Sequence, residues 1–387
     1  MNNKKIAVFS TYLDNYGAFN ASYNIHKLFQ GINGVDSTYI TRKNYLKDNT
    51  VIEYKNNTLR QLLIKFEQLF HKLNSRDSTR SSNLTRSSLN KILNNYDLVN
   101  FHWIGDSGIT LKDISKINKP IIMHLHDEWL FSGSKHYADD DKNNILETYL
   151  LSKKIKYLIN KEIIAITPST WIAKKLEDSE ISKNWTIKQI FNPVNEIFFD
   201  NPKTNFHKKF NISEDKILIS TGAQNFDKSD YKGFSRISES LNSSLLSKYQ
   251  FVIFGLNKTD YDFGENVIQI GKIDQLEVRD LLCASDIFLI PSIHENSPQV
   301  VVEAMACRNI VLFSDTGGIK EIVSSNKFGS IVSSFKPSEL KELIDLHTKN
   351  IAELTKNKNS ARNHINENFS NSAIRNKYKK LFNSIAF

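Results

Sequence analysis

Cysteine and proline are scarce in this chain of 387 residues, which contains 2 cysteines and 7 prolines. The two cysteines, Cys283 and Cys307, are too few for a disulfide framework or a cysteine-rich metal cluster. Long apolar runs are also missing, and no stretch approaches the about 18–20 residues that cross a bilayer. The first residues, MNNKKIAVFS, contain neither an adequate apolar segment nor a small-residue cleavage site, and they predict a strand. We therefore expect a cytoplasmic protein that is not exported.

The composition is that of a folded globular protein. Hydrophobic residues make up 40% and charged residues 24% of the chain, which is typical of globular domains. The length is sufficient for two domains with separate cores. A net charge of +9 favours anionic partners, which include nucleic acids, phosphorylated small molecules and anionic membranes. Charge alone does not choose among them.

Residues 286–323 contain the most informative pattern in the sequence. The apolar run 287–290 predicts a buried strand, and a polar loop and a helix follow it. Ser297 is predicted as the N-cap of this helix and Pro298 as its first residue. A second strand, 310–314, ends at a Thr-Gly-Gly loop before another short helix. Parallel sheets bind ligands at the carboxyl ends of their strands, where these loops would lie.

Two glutamates flank the start of the first of these helices. Glu295 precedes it, and Glu303 lies about 7–8 Å along its axis. The free N–H groups of a helix start bind phosphate well, so carboxylates on either side suit a phosphorylated ligand with hydroxyl groups at both ends. Alternatively, both glutamates are surface charges that the helix dipole favours.

Strands and helices alternate in both halves of the chain, which predicts two α/β domains with parallel sheets. We place one domain at 1–195 and the other at 196–367, with a final helix, 368–387, packing back on the first. The dinucleotide fingerprint G-x-G-x-x-G is absent after the first strand, which argues against an NAD or FAD enzyme.

Glu295 and Glu303 have the E-x7-E spacing of retaining glycosyltransferases of family four, and the stretch ENSPQVVVEAMA followed by TGG resembles that family's signature. The resemblance extends more weakly over nearly the whole chain. It implies the GT-B fold, in which two doubly wound, Rossmann-like domains with parallel sheets face a central cleft.

The same resemblance implies roles for the donor site. Glu295 would bind the hydroxyls of the donor sugar and Glu303 those of the ribose, while Lys232, in a Lys-Gly pair, would neutralise the diphosphate. The family has an arginine shortly upstream of this lysine; this loop has none, and Lys228 is the candidate to replace it. Close contacts to the donor would come from residues of the loops and the helix start, namely Gly17, Asn296, Ser297, Pro298, Gly317 and Gly318. Gly17 could equally be an ordinary turn residue.

The segment HDEWLFSGSKHY, 126–137, resembles one branch of the same family. It implies that His126 lies at the cleft in contact with donor sugar or acceptor and that Asp127 orients it. His102 and His136 are further candidates, and the alternative for both is a hydrogen-bonded structural histidine. His124 and His126 alternate along a strand, but no third ligand has metal-site spacing, so we expect no metal. Asp139, Asp140 and Asp141 resemble a manganese-binding Asp-x-Asp motif, but their context predicts a solvated loop.

The segment 58–91 is strongly basic and begins with an amphipathic helical pattern. It would suit the surface of an anionic membrane. The alternative is a core-facing helix followed by a solvated basic loop.

Taken together, these features predict a metal-independent, retaining, hexosyl-type glycosyltransferase without a cofactor. It would transfer a sugar from a nucleotide sugar to a glycan or lipid-linked acceptor in surface polysaccharide biosynthesis, in the cytoplasm or at the inner face of the cell membrane. The alternatives are a sugar-nucleotide epimerase of the same fold and a non-catalytic basic binding protein. We expect no nucleic-acid partner, because no motif combines basic residues with stacked aromatics.

Overall fold

The computed structural model describes residues 3–14, 17–54, 89–105, 108–137, 145–200, 202, 205–213, 215–223, 231–241, 243–255, 263–264 and 266–385. The chain divides into two compact units. The first unit comprises residues 1–192 and 375–387, and the second comprises residues 193–374. The division lies three residues before the boundary placed at 195 from the sequence, and the returning segment starts at 375 rather than 368.

The first unit is built on seven parallel strands. They are β1 Lys4–Leu13, β2 Val35–Asn44, β3 Ile52–Glu53, β4 Leu98–Phe101, β5 Ile121–His124, β6 Ile163–Thr167 and β7 Trp185–Gln189. Their order in the sheet is β3-β2-β1-β4-β5-β6-β7. The helices are α1 Gly17–Gln30, α2 Leu89–Leu93, α3 Leu111–Ile114, α4 Ile145–Leu158 and α5 Thr170–Glu177, with short 3₁₀ turns at Trp129–Phe131 and Glu180–Ser182.

The second unit repeats this design with six parallel strands. They are β8 Leu218–Gly222, β9 Gln250–Phe254, β10 Val267–Gln269, β11 Ile287–Ile290, β12 Ile310–Phe313 and β13 Gly329–Ile331, in the order β10-β9-β8-β11-β12-β13. A 3₁₀ turn, Glu196–Phe199, precedes the helices α6 Phe206–Lys209, α7 Phe234–Ser240, α8 Ser243–Lys248, α9 Gln275–Ala284, α10 Gln299–Ala306, α11 Ile319–Val323, α12 Pro337–Thr348 and α13 Ile351–Phe369. The last helix, α14 Asn371–Ser384, runs across the division into the first unit.

Continuous apolar runs explain the central strands of both sheets. Every residue of β4, β5, β11 and β12 is buried. A strand covered by helices on both faces needs apolar side chains at all positions rather than at alternate ones. The predicted pair of Rossmann-like, parallel-sheet domains is therefore confirmed.

The strand orders place a topological switch point in each sheet. In the second unit, β9 and β10 extend the sheet on one side of β8, and β11 begins the other side. In the first unit the corresponding point lies between β1 and β4. Loops that leave neighbouring strands in opposite directions open a crevice at such a point, where ligands of doubly wound sheets bind.

Helix α14 packs on the first unit through aromatic side chains. The ring of Phe29, on α1, lies 4.9 Å from Tyr378 and 5.0 Å from Phe382, measured between centroids. The Tyr378 hydroxyl lies 3.3 Å from His124 Nε2, and Lys4 Nζ donates to the carbonyl of Phe382 over 3.3 Å. The end of the chain is thus part of the core of the first unit.

Three expectations from the sequence fall outside the described residues. They concern Lys228, the run of aspartates 139–141 and nearly all of the basic segment 58–91, of which only 89–91, at the start of α2, is described. Within the described ranges, no helix has the length and apolar character needed to cross a membrane.

We predict that Phe382→Ala destabilises the first unit by about 3–5 kcal/mol, because it leaves a cavity against Phe29 and Tyr378. All four tryptophans lie in the first unit, so their fluorescence during urea unfolding reports on this unit: Trp103, Trp129, Trp171 and Trp185. Lys379→Ala, on the exposed face of the same helix, is the matched control and should stay within about 0.5 kcal/mol of wild type. Equal stability of the two variants would contradict the prediction.

Candidate active site

Helix α10 begins at Gln299, one residue later than the sequence suggested. Pro298 has φ −67° and ψ 117°, which is extended backbone, and it is the capping residue. The prediction of Ser297 as N-cap and Pro298 as first helical residue is therefore wrong.

No side chain caps this helix, because proline has no side-chain oxygen to offer. In the described part of the chain, Gln299 Nε2 is also buried without a hydrogen-bond partner. The helix start therefore combines N–H groups with an amide donor, a set that suits an anion.

The Thr-Gly-Gly loop after β12 packs directly on the loop after β11. Gly317 has φ +59°, and a Cβ atom there would lie 1.6 Å from the carbonyl oxygen of Glu295. Gly318 N donates to the carbonyl of Asn296 over 2.8 Å, and Thr316 Oγ1 donates to Ile293 O over 2.9 Å. Only glycine fits at position 317, since both the backbone conformation and the space exclude a side chain.

The loop after β8 joins the same group of loops. Gly233 has φ +70°, and a Cβ atom there would lie 2.0 Å from the carbonyl oxygen of Pro291. Ile293 N donates to Tyr231 O over 2.8 Å. The loops that follow β8, β11 and β12, three neighbouring strands, therefore contact one another through backbone atoms at the carboxyl edge of the sheet.

This packing brings Lys232 to Glu295. Lys232 Nζ lies 2.5 Å from Glu295 Oε1, and Ser292 Oγ donates to the same oxygen over 2.9 Å. The side chain of Glu295 is only 8% exposed, whereas that of Lys232 is 36% exposed. Within the described residues, the second oxygen, Oε2, has no hydrogen-bond partner. One oxygen is thus fixed, and the other remains able to accept a hydrogen bond from a ligand.

Two supporting residues escaped the sequence analysis. Ser292 holds Glu295, as described above. Arg236, on the first turn of α7, donates to Pro291 O over 3.3 Å and approaches Ser314 Oγ at 3.4 Å. It therefore bridges the ends of β11 and β12. The only signal for it in the sequence is an arginine four residues after Lys232, which by itself does not indicate where the guanidinium group points.

Glu303 lies on α10 and differs from Glu295 in having no ionic partner among the described residues. Burial raises the pKa of its carboxyl group from 4.5 to about 7. An isolated, desolvated carboxylate is costly for the fold, and it gains most from a ligand that donates hydrogen bonds to it. Paired hydroxyl groups are such donors.

The first unit has its own cluster of polar residues beyond the ends of β4 and β5. The rings of His102 and His124 stack with centroids 4.1 Å apart, and His102 Nδ1 lies 3.0 Å from His126 Nε2. These histidines and Trp129 border a cavity of about 20 Å³, which is room for one water molecule. Among the described residues no group of three histidine, cysteine or acidic side chains could hold a metal ion.

Hydrogen bonds set the tautomers of this cluster. The side-chain amide of Asn100 donates to His102 Nε2 over 3.2 Å, so His102 carries its proton on Nδ1 and donates to His126 Nε2. The His126 proton then resides on Nδ1. Burial lowers the pKa of His126 to about 4, so the ring is neutral near pH 7.

Asp127 is bonded differently from the expectation. One carboxylate oxygen accepts from Trp129 N over 2.9 Å, and the other pairs with His136 Nδ1. The prediction that Asp127 orients His126 is therefore wrong, and His126 hydrogen-bonds to His102 instead. Asp127 instead fixes the start of the 3₁₀ turn that follows β5.

The remaining residue of the predicted set, Gly17, is the first residue of α1. It has φ +33°, and a Cβ atom there would meet no atom within 4 Å. The structure thus gathers Lys232, Glu295, Asn296 and Gly317 at the switch point of the second unit. Gly17, His102 and His126 follow strands β1, β4 and β5 at the corresponding edge of the first unit.

Comparison with known proteins identifies the second unit. Residues 202–366 match the family model described as Glycosyl transferases group 1, and they form a domain of that type. The chain is 27% identical over 296 residues to an uncharacterized 41.2 kDa protein in the cps region of Klebsiella pneumoniae, covering 70% of this chain and 80% of that protein. It is 34% identical over 97 residues to a Bacillus subtilis protein provisionally named teichuronic acid biosynthesis glycosyltransferase TuaC, which is 25% of each chain.

The fold likeness covers both units. The crystal structure of Anabaena HepE in complex with UDP-glucose has a TM-score of 0.70 and 15% identity, over 98% of this chain and 100% of that one. At this identity the match concerns the fold alone. The fold belongs to the GT-B class of glycosyltransferases, as the sequence predicts.

We predict that Gly317→Ala destabilises the protein by about 2–5 kcal/mol, since it adds a backbone clash to the cost of a left-handed alanine. Gly34→Ala is the control, because Gly34 has φ +80° with no atom within 4 Å of an added Cβ. Its cost should be about 1–2 kcal/mol, from backbone conformation only. Urea unfolding followed by circular dichroism measures both, and similar losses would refute the close packing on Glu295.

We predict that Glu303→Gln changes the pH dependence of stability. The folded protein has a carboxyl pKa near 7 where the unfolded chain has 4.5, so wild type loses stability as the pH rises between these values. The variant lacks this loss. It should gain about 1–3 kcal/mol relative to wild type between pH 5 and pH 8, allowing for partial exposure. Urea unfolding at both values tests this, with the exposed Glu342→Gln as control; a difference that does not depend on pH would contradict it.

Proposed function

We propose that this protein is a glycosyltransferase that transfers a hexose-type sugar from a nucleotide sugar to a glycan or lipid-linked acceptor, in the synthesis of a surface polysaccharide. The observation that carries the proposal is the Lys232–Glu295 pair beside the uncapped start of α10, at the switch point of the second unit. The group 1 domain supports the reaction type. A relative from a cps region and one named for teichuronic acid biosynthesis support the polysaccharide context.

The donor would bind by its charges and hydroxyl groups. Lys232 is partly exposed and has N–H groups beyond the one directed at Glu295, so it can also reach a diphosphate. The start of α10, with Gln299, would bind the other phosphate oxygens. Lys228 keeps its proposed role as substitute for the family's arginine.

The two glutamates would recognise the two ends of the donor. Glu295 Oε2 would accept hydrogen bonds from the sugar hydroxyls, and the Glu303 carboxylate would accept them from the ribose. Asn296, Ser297, Pro298, Gly317 and Gly318 would shape the surface between these ends. This assignment follows the E-x7-E resemblance to family four.

In the transition state, negative charge develops on the departing diphosphate. Fixed positive groups there contribute more than groups that must reorganise, so Lys232 and the helix start would contribute most to the rate. We propose retention of configuration by attack on the same face of the sugar, with the leaving phosphate taking the acceptor proton. A neutral His126, held by His102, would contact the donor sugar or the acceptor, and Gly17 would lie beside the donor phosphates.

Lys232 and the helix start supply the positive charge that a metal ion would otherwise provide, so we propose that the reaction needs no metal. We also retain the proposal that residues 58–91 contact an anionic membrane at the cytoplasmic face. Flotation with liposomes that contain or lack anionic lipid tests it, and binding that does not depend on anionic lipid would count against it.

We predict that Lys232→Ala and Glu303→Gln each lower sugar transfer by at least about 100-fold while the protein stays folded. Donors are first selected by a thermal-shift screen of UDP-, GDP-, ADP- and dTDP-sugars, because a bound donor raises the melting temperature. Transfer is then assayed with and without EDTA, and the anomeric configuration of the product is read by NMR. Lys349→Ala and Glu342→Gln, both exposed on the second unit, are the controls and should keep wild-type rates.

Near-normal transfer by both site variants would refute the assignment. Conversion of the nucleotide sugar without any acceptor would indicate an epimerase instead. Loss of activity with EDTA would overturn the metal-independent mechanism but not the site.

A further inference from the structure

A group of aromatic side chains lies at the carboxyl edge of the sheet in the first unit. Tyr12 is near the end of β1, Phe19 is in the first turn of α1, and Tyr45 directly follows β2. The ring centroid of Tyr12 lies 5.7 Å from that of Phe19 and 6.2 Å from that of Tyr45. Tyr45 N donates to Leu13 O over 2.9 Å, which fixes the chain after β2 against the end of β1. Parallel sheets bind ligands at this edge.

The aromatic group is anchored on one side and open on the other. Tyr12 and Phe19 are half-buried and pack against the hydrophobic core of the first unit. Tyr45 lies next to Tyr12 and is 48% exposed. A tyrosine ring offers a large, rigid contact surface and loses little conformational entropy when it binds a ligand. The C–H face of a sugar ring fits such a surface.

Two cations lie beside these rings. Arg42 Nη2 donates to the Tyr12 hydroxyl over 2.5 Å, and the guanidinium carbon lies 5.0 Å from the centroid of the same ring. Lys43 Nζ lies 4.4 Å from the ring centroid of Tyr45. Lys43 is exposed, and within the part of the chain that the structure describes its ammonium group has neither an ion pair nor a hydrogen bond. Each tyrosine therefore has a cation next to it, and both cations are donors that suit an anionic group.

The acidic side chains of the segment after β2 are engaged with other partners. Asp48 Oδ1 accepts from Thr50 N over 2.8 Å and from Thr50 Oγ1 over 2.6 Å. Glu53 Oε2 accepts from Asn44 N over 3.2 Å. These bonds hold the segment in place, and neither carboxylate is within ion-pair distance of Lys43. The positive charge of Lys43 is thus accessible beside an exposed ring.

We propose that Tyr12, Tyr45, Arg42 and Lys43 form a binding surface for an acidic sugar of the acceptor. One sugar ring stacks on the exposed ring of Tyr45, and the carboxylate or phosphate group attached to it accepts hydrogen bonds from Lys43 and Arg42. A neutral sugar gains only the contact with the ring. The identification of this sugar as the acceptor rests on the proposed function, whereas its binding is measurable without any donor.

The test titrates the full-length protein, without nucleotide, with the tetrasaccharide of galacturonic acid and with its methyl ester, which has the same rings and no charge. Calorimetry should show the acid binding at least about tenfold more tightly than the ester, with an advantage that shrinks at high salt. Glucose 1-phosphate compared with glucose tests a phosphate in place of the carboxylate, and a preference for either acidic sugar supports the proposal. Inorganic phosphate tests an anion without a sugar.

Two results would overturn the proposal. One is that neither acidic sugar binds more tightly than its uncharged counterpart. The other is that inorganic phosphate binds as tightly as the acidic sugars, which would indicate an adventitious ion only.

Single variants separate the charge from the ring. Lys43→Ala should lower the affinity for the acid at least about fivefold and leave that for the ester unchanged. Lys119→Ala is the matched control, because Lys119 is exposed and precedes β5 at the opposite edge of the same sheet. Tyr45→Ala should weaken both probes, whereas Tyr45→Phe keeps the ring and should bind like wild type. Equal effects of Lys43→Ala and Lys119→Ala would refute the site, and both positions are exposed, so neither variant threatens the fold.

Failure of this inference differs from failure of the proposed function. Once transfer from a nucleotide sugar is measured, Lys43→Ala should raise the KM for an acidic acceptor at least about fivefold and leave the KM for the donor at its wild-type value. Binding of acidic sugars without any transfer would refute the proposed function alone. Transfer to an acceptor with an unchanged KM in Lys43→Ala would refute the binding surface alone.

Discussion

The candidate site depends on the close approach of two glycines to backbone carbonyls. Gly233 lies against the carbonyl of Pro291, and Gly317 lies against that of Glu295, each in a left-handed conformation. A side chain at either position would push apart the loops that follow β8, β11 and β12. The glycines thus fix the distances between loops that are far apart in sequence. Lys232 reaches Glu295 across 63 residues because the backbones beneath them are already in contact.

The contact between these loops determines which of the two glutamates, Glu295 or Glu303, has a positively charged partner. An unpaired, buried carboxylate costs several kcal/mol, and Glu295 avoids this cost through Lys232 and Ser292. Lys232 remains partly exposed, so its positive charge stabilises Glu295 and is also accessible to a ligand. Glu303 has no such neighbour in the described part of the chain, and its pKa rises instead. One stretch of sequence therefore holds one carboxylate in an ion pair and another that resists ionisation.

Local sequence patterns predicted most of the strands, their parallel pairing and the loops that gather at their carboxyl ends. Apolar runs such as 287–290 and 310–313 are long enough for strands and are bounded by polar loops, so hydrophobic burial determines them. Side-chain partners were not predictable in the same way. Asp127 adjoins His126 in sequence but bonds to His136, and Arg236 bridges two strand ends far from it in the chain. Such contacts depend on rotamers and on loop packing, which no local pattern specifies. The predicted cap of α10 was wrong by one residue, because Pro298 has extended backbone and the helix begins after it.

Glu303, which has no ionic partner among the residues that the structure describes, would make the stability of the proposed donor site depend on pH. Its raised pKa means that the folded protein gives up stability when this group ionises near neutral pH. Hydroxyl groups that donate to the carboxylate favour its ionised form and return the pKa towards the ordinary value. Under the proposed function, donor binding and proton release at Glu303 are linked, so hydrogen bonds from a ribose would restore the stability that the empty site loses when Glu303 ionises. Glu295 differs because its counter-charge, Lys232, is in place before any ligand arrives. Under the proposed function, the two glutamates therefore have different roles. Glu295 is positioned before the donor binds, and Glu303 couples donor binding to the stability of the domain.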